Sequence, residues 1–220
     1  MHVTTSQQEQ LDLGFGGFSC NWGTHIAGLY ETEEQRDAIM FGFLRTGAEA
    51  GDFQLAVPAE RSTEEFSADY ASSCPNCGTQ VRDPALFRID TPRELYFPNG
   101  YFDPFEMTDN LEAFYRESQR KRRLNIRATA NMTFALETIP GREHLMAYES
   151  RLNYFIPGKP WISICLYNLR KFRGDTIMQV LRTHPYTINR GVITANPYYR
   201  DPDSWLSEHA PQFLPRSGQR

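Results

Sequence analysis

Cys74-Pro75-Asn76-Cys77-Gly78 is a turn whose side chains could hold a metal. Two thiols two residues apart, with a glycine behind them, make half of a zinc knuckle, because that spacing lets both sulfurs face one ion. A second pair would complete the set. The chain has four cysteines, however, and the other two are Cys20 and Cys165. Cys20 stands close to His25, so Cys20, His25, Cys74 and Cys77 could form a Cys₃His centre for zinc or iron. That grouping requires the N-terminal segment to fold back toward the turn. Two readings stand beside it. One is an unliganded surface turn. The other is redox chemistry, which a Cys-x-x-Cys pair supports when a helix N-terminus lowers the thiol pKa. Residues 78 to 84 read as loop, which argues against redox chemistry. Cys165 lies within an apolar strand and reads as a small core residue.

The histidines and carboxylates point less clearly. His184 precedes Pro185 at a helix end, where an imidazole can bond the free carbonyls. His25 opens a strand and reads as a core or surface residue unless it joins the metal set. His144 and His209 read as exposed. Glu149 and Arg151 lie two apart on a helix, so they do not face one another and are not an acid/base pair. Arg151 is expected to pair with another element. Asp103, Glu106 and Asp109 fit a helix N-terminus, where the dipole favours carboxylates.

These residues need a scaffold, and the pattern along the chain supplies one. Ile26 to Leu29 reads as a buried strand. Thr32-Glu33-Glu34-Gln35 is a capping box opening a helix that carries Ile39, Phe43 and Leu44 and ends in the glycines at 47 and 51. Phe53 to Val57 is a strand, and Ser62-Thr63-Glu64-Glu65 is a second capping box. Leu86 to Asp90 and Leu124 to Thr129 read as strands on either side of a helix from Phe105 to Arg123. Arg142 to Phe155 is a helix in which Leu145, Tyr148, Leu152 and Phe155 recur at helical spacing. Then follow a strand from Trp161 to Tyr167, a helix from Asp175 to Arg182 and a short strand from Val192 to Thr194. Residues 1–21 read as a flexible arm in which Gly14 to Phe18 can dock on the body. The tail from 201, with Pro202, Pro211 and Pro215, reads as extended.

Strands alternating with helices imply an α/β fold with a mostly parallel sheet flanked by helices. A chain of 220 residues can bury such a core as one domain. In such sheets ligands bind beyond the carboxyl ends of the strands, where strand order reverses. That rule selects Tyr30 with Glu31, the turn from Thr129 to Met132, and Tyr167 with Asn168.

Several classes are excluded or disfavoured. The net charge of -4 does not suit nucleic-acid binding by bulk electrostatics. The basic run from Arg116 to Arg123 reads as a solvated helix end. No apolar run approaches the roughly 20 residues of a membrane span, and residues 1–12 lack a signal-peptide core. A cytosolic protein with reduced thiols is therefore expected. There is no G-x-x-x-x-G-K-[ST] loop, no G-x-G-x-x-G after a strand, no G-x-S-x-G elbow and no H-E-x-x-H. A binding module is expected rather than an enzyme.

The ordered pieces resemble a known family. They are Trp22-Gly23-Thr24-His25-Ile26, Leu29 to Glu34, Phe41 to Gly51, and Tyr96 with Gly100-Tyr101-Phe102-Asp103. Further on come Tyr148 to Asn153, Cys165-Leu166-Tyr167, Arg182-Thr183-His184-Pro185 and Asn196-Pro197-Tyr198. Together, over residues 22–200, they resemble the MEDS family, a methanogen/methylotroph sensory domain. The resemblance implies a RecA/KaiC-like core without a phosphate-binding loop. It also implies the sensing of small hydrocarbon-like molecules, coupled to a transcriptional or kinase output. Two features depart from the family pattern: Thr129-Ala130-Asn131-Met132, where members carry a glycine, and the Cys74-x-x-Cys77 turn. The reading that follows is a stand-alone sensory domain. Its small, apolar ligand would be held by Tyr30, Asn131, Met132, Tyr167, Asn168 and His184, and its output would pass through a separate protein regulator. The alternatives are the zinc or iron site above, and a relative of the ATPases that binds nucleotide weakly or only a protein. No feature specifies an oligomeric state.

Overall fold

The structure is a computed structural model that describes residues 11–17, 20–121 and 125–215. Phe18, Arg122, Arg123 and most of the expected N-terminal arm lie outside the described residues. In chain order the elements are β1 (Gly16–Gly17), β2 (Thr24–Tyr30), α1 (Glu33–Ala50), β3 (Phe53–Val57), α2 (Thr63–Ser73), α3 (Cys77–Gln80), β4 (Phe87–Ile89), α4 (Pro92–Tyr96) and α5 (Pro104–Lys121). Then follow β5 (Ile126–Asn131), α6 (Leu145–Phe155), β6 (Trp161–Asn168), α7 (Gly174–Thr183), β7 (Tyr186–Asn189), β8 (Val192–Ala195) and α8 (Pro202–His209).

The strands form one sheet in the order β1-β8-β7-β2-β6-β5-β3-β4. Every neighbouring pair is parallel except β7 and β8. That exception is a hairpin turning at Arg190 and Gly191, both at positive φ (50° and 74°), the backbone that two-residue hairpin loops demand. β1 is the short strand that the N-terminal segment contributes, pairing Gly16 with Val192 and Gly17 with Ile193. Gly17 has φ 101°, and a Cβ there would lie 2.4 Å from the Ile193 carbonyl oxygen, so only glycine fits.

The capping signals act as expected. The Thr32 hydroxyl accepts from the Gln35 amide and Ser62 forms a complete box with Glu65. The Gln35 side chain reaches back one residue further than a box requires and accepts from the Glu31 amide at 2.7 Å. Gly51 closes α1 in the left-handed region.

Parity along the central strands assigns the two faces, because neighbouring strand residues point to opposite sides. Ala27, Ala130, Trp161, Cys165 and Tyr167 lie in one core with Met107 and Leu111 of α5 and Tyr148 and Leu152 of α6. Ile26, Ala56, Ile162, Ile164 and Leu166 lie in the other, with Phe43 and Leu44 of α1 and Phe66 and Tyr70 of α2. β6 is buried over its whole length, as a central parallel strand covered on both faces must be. Each such large apolar side chain contributes about 1.5–3 kcal/mol on burial. α8 and the Phe213 turn cover the outer side of α6 through Ala147, Trp205 and Leu206.

The tail is thus not extended. Asp201 caps α8 by accepting from the amides of Asp203 and Ser204, and Pro202 sits at the first helical position, where its missing N–H costs nothing. α3 is also unforeseen: Cys77 opens a single helical turn rather than a loop. No helix among the described residues is long and apolar enough to cross a membrane.

Candidate functional site: a buried cluster of histidine, glutamate and cysteine

Four ionisable side chains meet on the α6 face of the sheet. β2 delivers His25 and β6 delivers Cys165, on the face shared with Ala27 and Tyr167; the register sets Ala27 opposite Cys165. α6 lays Glu149 across these strands, fully buried between Tyr148 and Leu152 of its apolar stripe. α7 ends at His184, because Pro185 forces the preceding residue out of the helical region. His184 accordingly has extended backbone at φ -121°, ψ 121°. Two asparagines fix that corner. Asn153 of α6 donates to the Thr183 carbonyl at 2.8 Å, and Asn196 donates to the His184 carbonyl at 2.7 Å.

The ligand-type atoms of His25, Glu149, Cys165 and His184 all lie within 4.8 Å of one another. Oε2 of Glu149 is 3.1 Å from Nε2 of His25 and 3.4 Å from Nε2 of His184. Sγ of Cys165 is 3.5 Å from Nε2 of His25. The two imidazoles sit with ring centroids 4.0 Å apart. None of the four side chains is more than 4% exposed, so water cannot share the charge.

The surrounding bonds fix the roles of individual atoms. The Tyr167 hydroxyl donates to Oε1 of Glu149 at 2.7 Å. Nδ1 of His184 lies 2.8 Å from the Val180 carbonyl. A carbonyl only accepts, so Nδ1 carries a proton. Nε2 of His184 faces Oε2 of Glu149, and neither atom makes a hydrogen bond of good geometry. Nδ1 of His25 is likewise without one. Such orphaned buried polar atoms are uncommon and call for an explanation.

The ionisation states follow from burial. Burial first, and then His184, push His25 down to about 4, so its ring is neutral at pH 7. Burial acts to raise Glu149, but the two histidines hold it below the usual carboxylate range, and it stays an anion. Burial, reinforced by Glu149, drives the Cys165 thiol and the Tyr167 phenol up, so both are protonated.

Beside the cluster lies an apolar cavity of about 20 Å³, roughly the room for one water-sized group. Its lining includes Leu55, Leu111, Ala130, Tyr148, Leu152 and Cys165. Cys165 therefore belongs to both the cavity and the cluster. Ala130 also lines this space.

The residues selected from sequence fall into separate groups. Tyr30 donates to Asn131 at 3.1 Å, and Asn131 donates to Glu60 at 3.1 Å. Arg36 and Lys171 also bind Glu60, so the carboxyl edge there is filled by an ionic network. Met132 packs under the Tyr96 hydroxyl, and Asn168 caps the following turn through the Arg170 amide. Tyr167 and His184 belong instead to the Glu149 cluster. The expected metal grouping of Cys20, His25, Cys74 and Cys77 does not form. Cys74 and Cys77 are joined in a disulfide. Both pack with Cys20 in the α1-side core, while His25 points to the α6 side with the sheet between. Cys20 is buried, and burial pushes its thiol up to about 11.

Glu149 and Cys165 are the members that sequence reasoning passed over. The signal that could have found Glu149 is a carboxylate beside the apolar stripe of α6, between Tyr148 and Leu152.

With this geometry in hand, comparison with known proteins decides the family. Residues 24–185 match the profile of MEDS, the methanogen/methylotroph, DcmR sensory domain. The chain belongs to the MEDS family. Over 172 residues it is 23% identical to the transcriptional repressor DcmR of Methylorubrum extorquens, covering 78% of this chain and 62% of that protein. The chain thus spans less than two thirds of that relative's length. The KaiC-like protein PH0186 of Pyrococcus horikoshii superposes with a TM-score of 0.56 at 14% identity, over 81% of this chain and 79% of the other. The flagellar accessory protein FlaH of Methanocaldococcus jannaschii gives a TM-score of 0.48 at 16% identity, over 76% and 70%. The fold of this MEDS domain is therefore KaiC-like, and His25, Glu149, Cys165 and His184 all lie inside the matched region.

Proposed function

We propose that this MEDS domain is the sensing part of a regulatory pathway and that it reads a small, apolar molecule of a few heavy atoms. The molecule enters by widening the cavity beside Cys165, and the response passes to a separate protein regulator. Family membership and the repressor relative support the regulatory role. The observation that carries the ligand reading is an apolar cavity lined by Cys165, whose cluster partners keep buried polar atoms without hydrogen bonds. A stable core has no use for such a combination, and binding pockets combine an apolar lining with a few placed polar groups. A ligand shifts the domain only by binding one of its conformations better than another. The cavity abuts Tyr148 and Leu152 of α6, so α6 is the element that a ligand would displace.

Methyl-resolved NMR tests this reading with xenon and with short haloalkanes as probes, since dry apolar cavities take up such atoms and molecules. Saturable shifts are expected at the methyls of Leu111, Leu152 and Ala130, with Leu206 in the α8 core unmoved. Ala130→Leu, which fills the cavity, should abolish them. Shifts spread evenly over both cores, or none at all in a folded sample, would overturn the ligand reading.

A further inference from the structure

We infer that His25, Glu149, Cys165 and His184 form a four-coordinate site for a divalent transition metal of the zinc class. The inference shares Cys165 and the unpaired atoms of the cluster with the ligand reading above, and a separate readout tests it.

Charge balance leads to the same ion. Glu149 is a fully buried carboxylate whose Oε2 faces the Nε2 atoms of two imidazoles without a hydrogen bond, an expensive arrangement in a low-dielectric core. A divalent ion displaces the Cys165 proton to solvent and is then held by one carboxylate, one thiolate and two neutral imidazoles. The charges sum to zero, and a neutral complex is what a closed core tolerates.

Geometry agrees. With bonds of about 2.0–2.3 Å to nitrogen, oxygen and sulfur, neighbouring ligands of a tetrahedral zinc lie roughly 3.3–3.7 Å apart. Three of the pairs here are at 3.1, 3.4 and 3.5 Å. The widest separation is within 4.8 Å, so a small side-chain adjustment completes the shell. Nε2 is the nitrogen of His184 left to bind an ion, because Nδ1–H is spent on the Val180 carbonyl. Oε1 of Glu149 is held by Tyr167, which leaves Oε2 as the donor. Outer-shell hydrogen bonds of this kind orient metal ligands. The donor set of imidazole, thiolate and carboxylate suits zinc, cobalt or iron and not magnesium or calcium, which take oxygen ligands.

The rival explanation is a proton shared between Glu149 and His184, with no metal. Cobalt(II) separates the two. The untagged full chain is treated with a chelator, without reductant so that the Cys74–Cys77 disulfide offers no thiolate, and titrated with cobalt. One equivalent is expected to give the visible bands of tetrahedral cobalt and a near-ultraviolet band from sulfur. Cys165→Ser should lose the sulfur band, and zinc should bleach the wild-type spectrum. If chelation unfolds the chain, recovery of helical circular dichroism on adding cobalt also supports the site, because metal binding then carries folding energy. A folded wild-type chain with only the spectrum of aqueous cobalt would overturn the inference. An unchanged sulfur band in folded Cys165→Ser would overturn it too, by placing the ion elsewhere.

Discussion

Tyr167→Phe should weaken cobalt binding by roughly 10–100-fold, the usual cost of deleting an outer-shell partner. The change removes one oxygen atom. The ring stays, with its contacts to Phe172 at 5.4 Å and to His184 at 5.7 Å between centroids. What is lost is the 2.7 Å bond to Oε1 of Glu149. The carboxylate is then free to rotate, and its Oε2 no longer points at the two imidazoles by default. A competition titration of cobalt against a coloured chelator measures the effect. Equal affinity in Tyr167→Phe and wild type, with both folded, would mean that Glu149 does not bind the ion.

The second large effect concerns stability and a different part of the sheet. Arg127→Ala is expected to cost about 3–5 kcal/mol, because it strands a buried carboxylate. The Arg127 and Asp52 side chains are 2% and 3% exposed, and Nε of Arg127 donates to Asp52 at 2.8 Å. The same guanidinium donates to the Thr46 hydroxyl and to the Asp12 carbonyl, both at 2.8 Å, so it also ties the N-terminal segment to α1. Without it, Asp52 keeps only the Asn125 amide at 3.1 Å among its described side-chain bonds. Pairing Arg127→Met with Asp52→Leu should cost much less than the sum of the two single changes, since the double variant buries no lone charge. Urea unfolding midpoints measure the cycle. Additive losses would show that the two groups are energetically independent.

The fold was legible where local rules govern. The boxes at Thr32 and Ser62 and the glycine at 51 set helix ends through contacts within a few residues, and the apolar run at 161–167 could only be a central strand. The hairpin of β7 and β8 was half legible: Val192 to Thr194 was expected as a strand, but Tyr186 to Asn189 is a short strand hidden behind Pro185. α8 was misjudged because its prolines were read as breakers. Pro202 directly after Asp201 is the start signal of a helix, with the aspartate as cap.

The cluster was less legible, and for a physical reason. Its members come from β2, α6, β6 and the end of α7, and only the crossovers of the sheet bring them together. Glu149 was weighed against Arg151, its neighbour in sequence. Arg151 in fact donates to the Phe213 carbonyl and to Thr108, and stacks on Phe105. Cys165 looked like filler because its strand is apolar. Cys74-x-x-Cys77 drew attention because metal spacing within a turn is a local pattern. Strand parity, applied across β2 and β6, would have placed His25, Cys165 and Tyr167 on one face.

The most direct measurement is the native mass of the freshly purified chain beside its mass under denaturing conditions. The account predicts an excess matching one divalent metal ion per chain, absent from Glu149→Gln and present in Cys74→Ser. Equal native and denatured masses for a folded wild-type chain grown with zinc would contradict it.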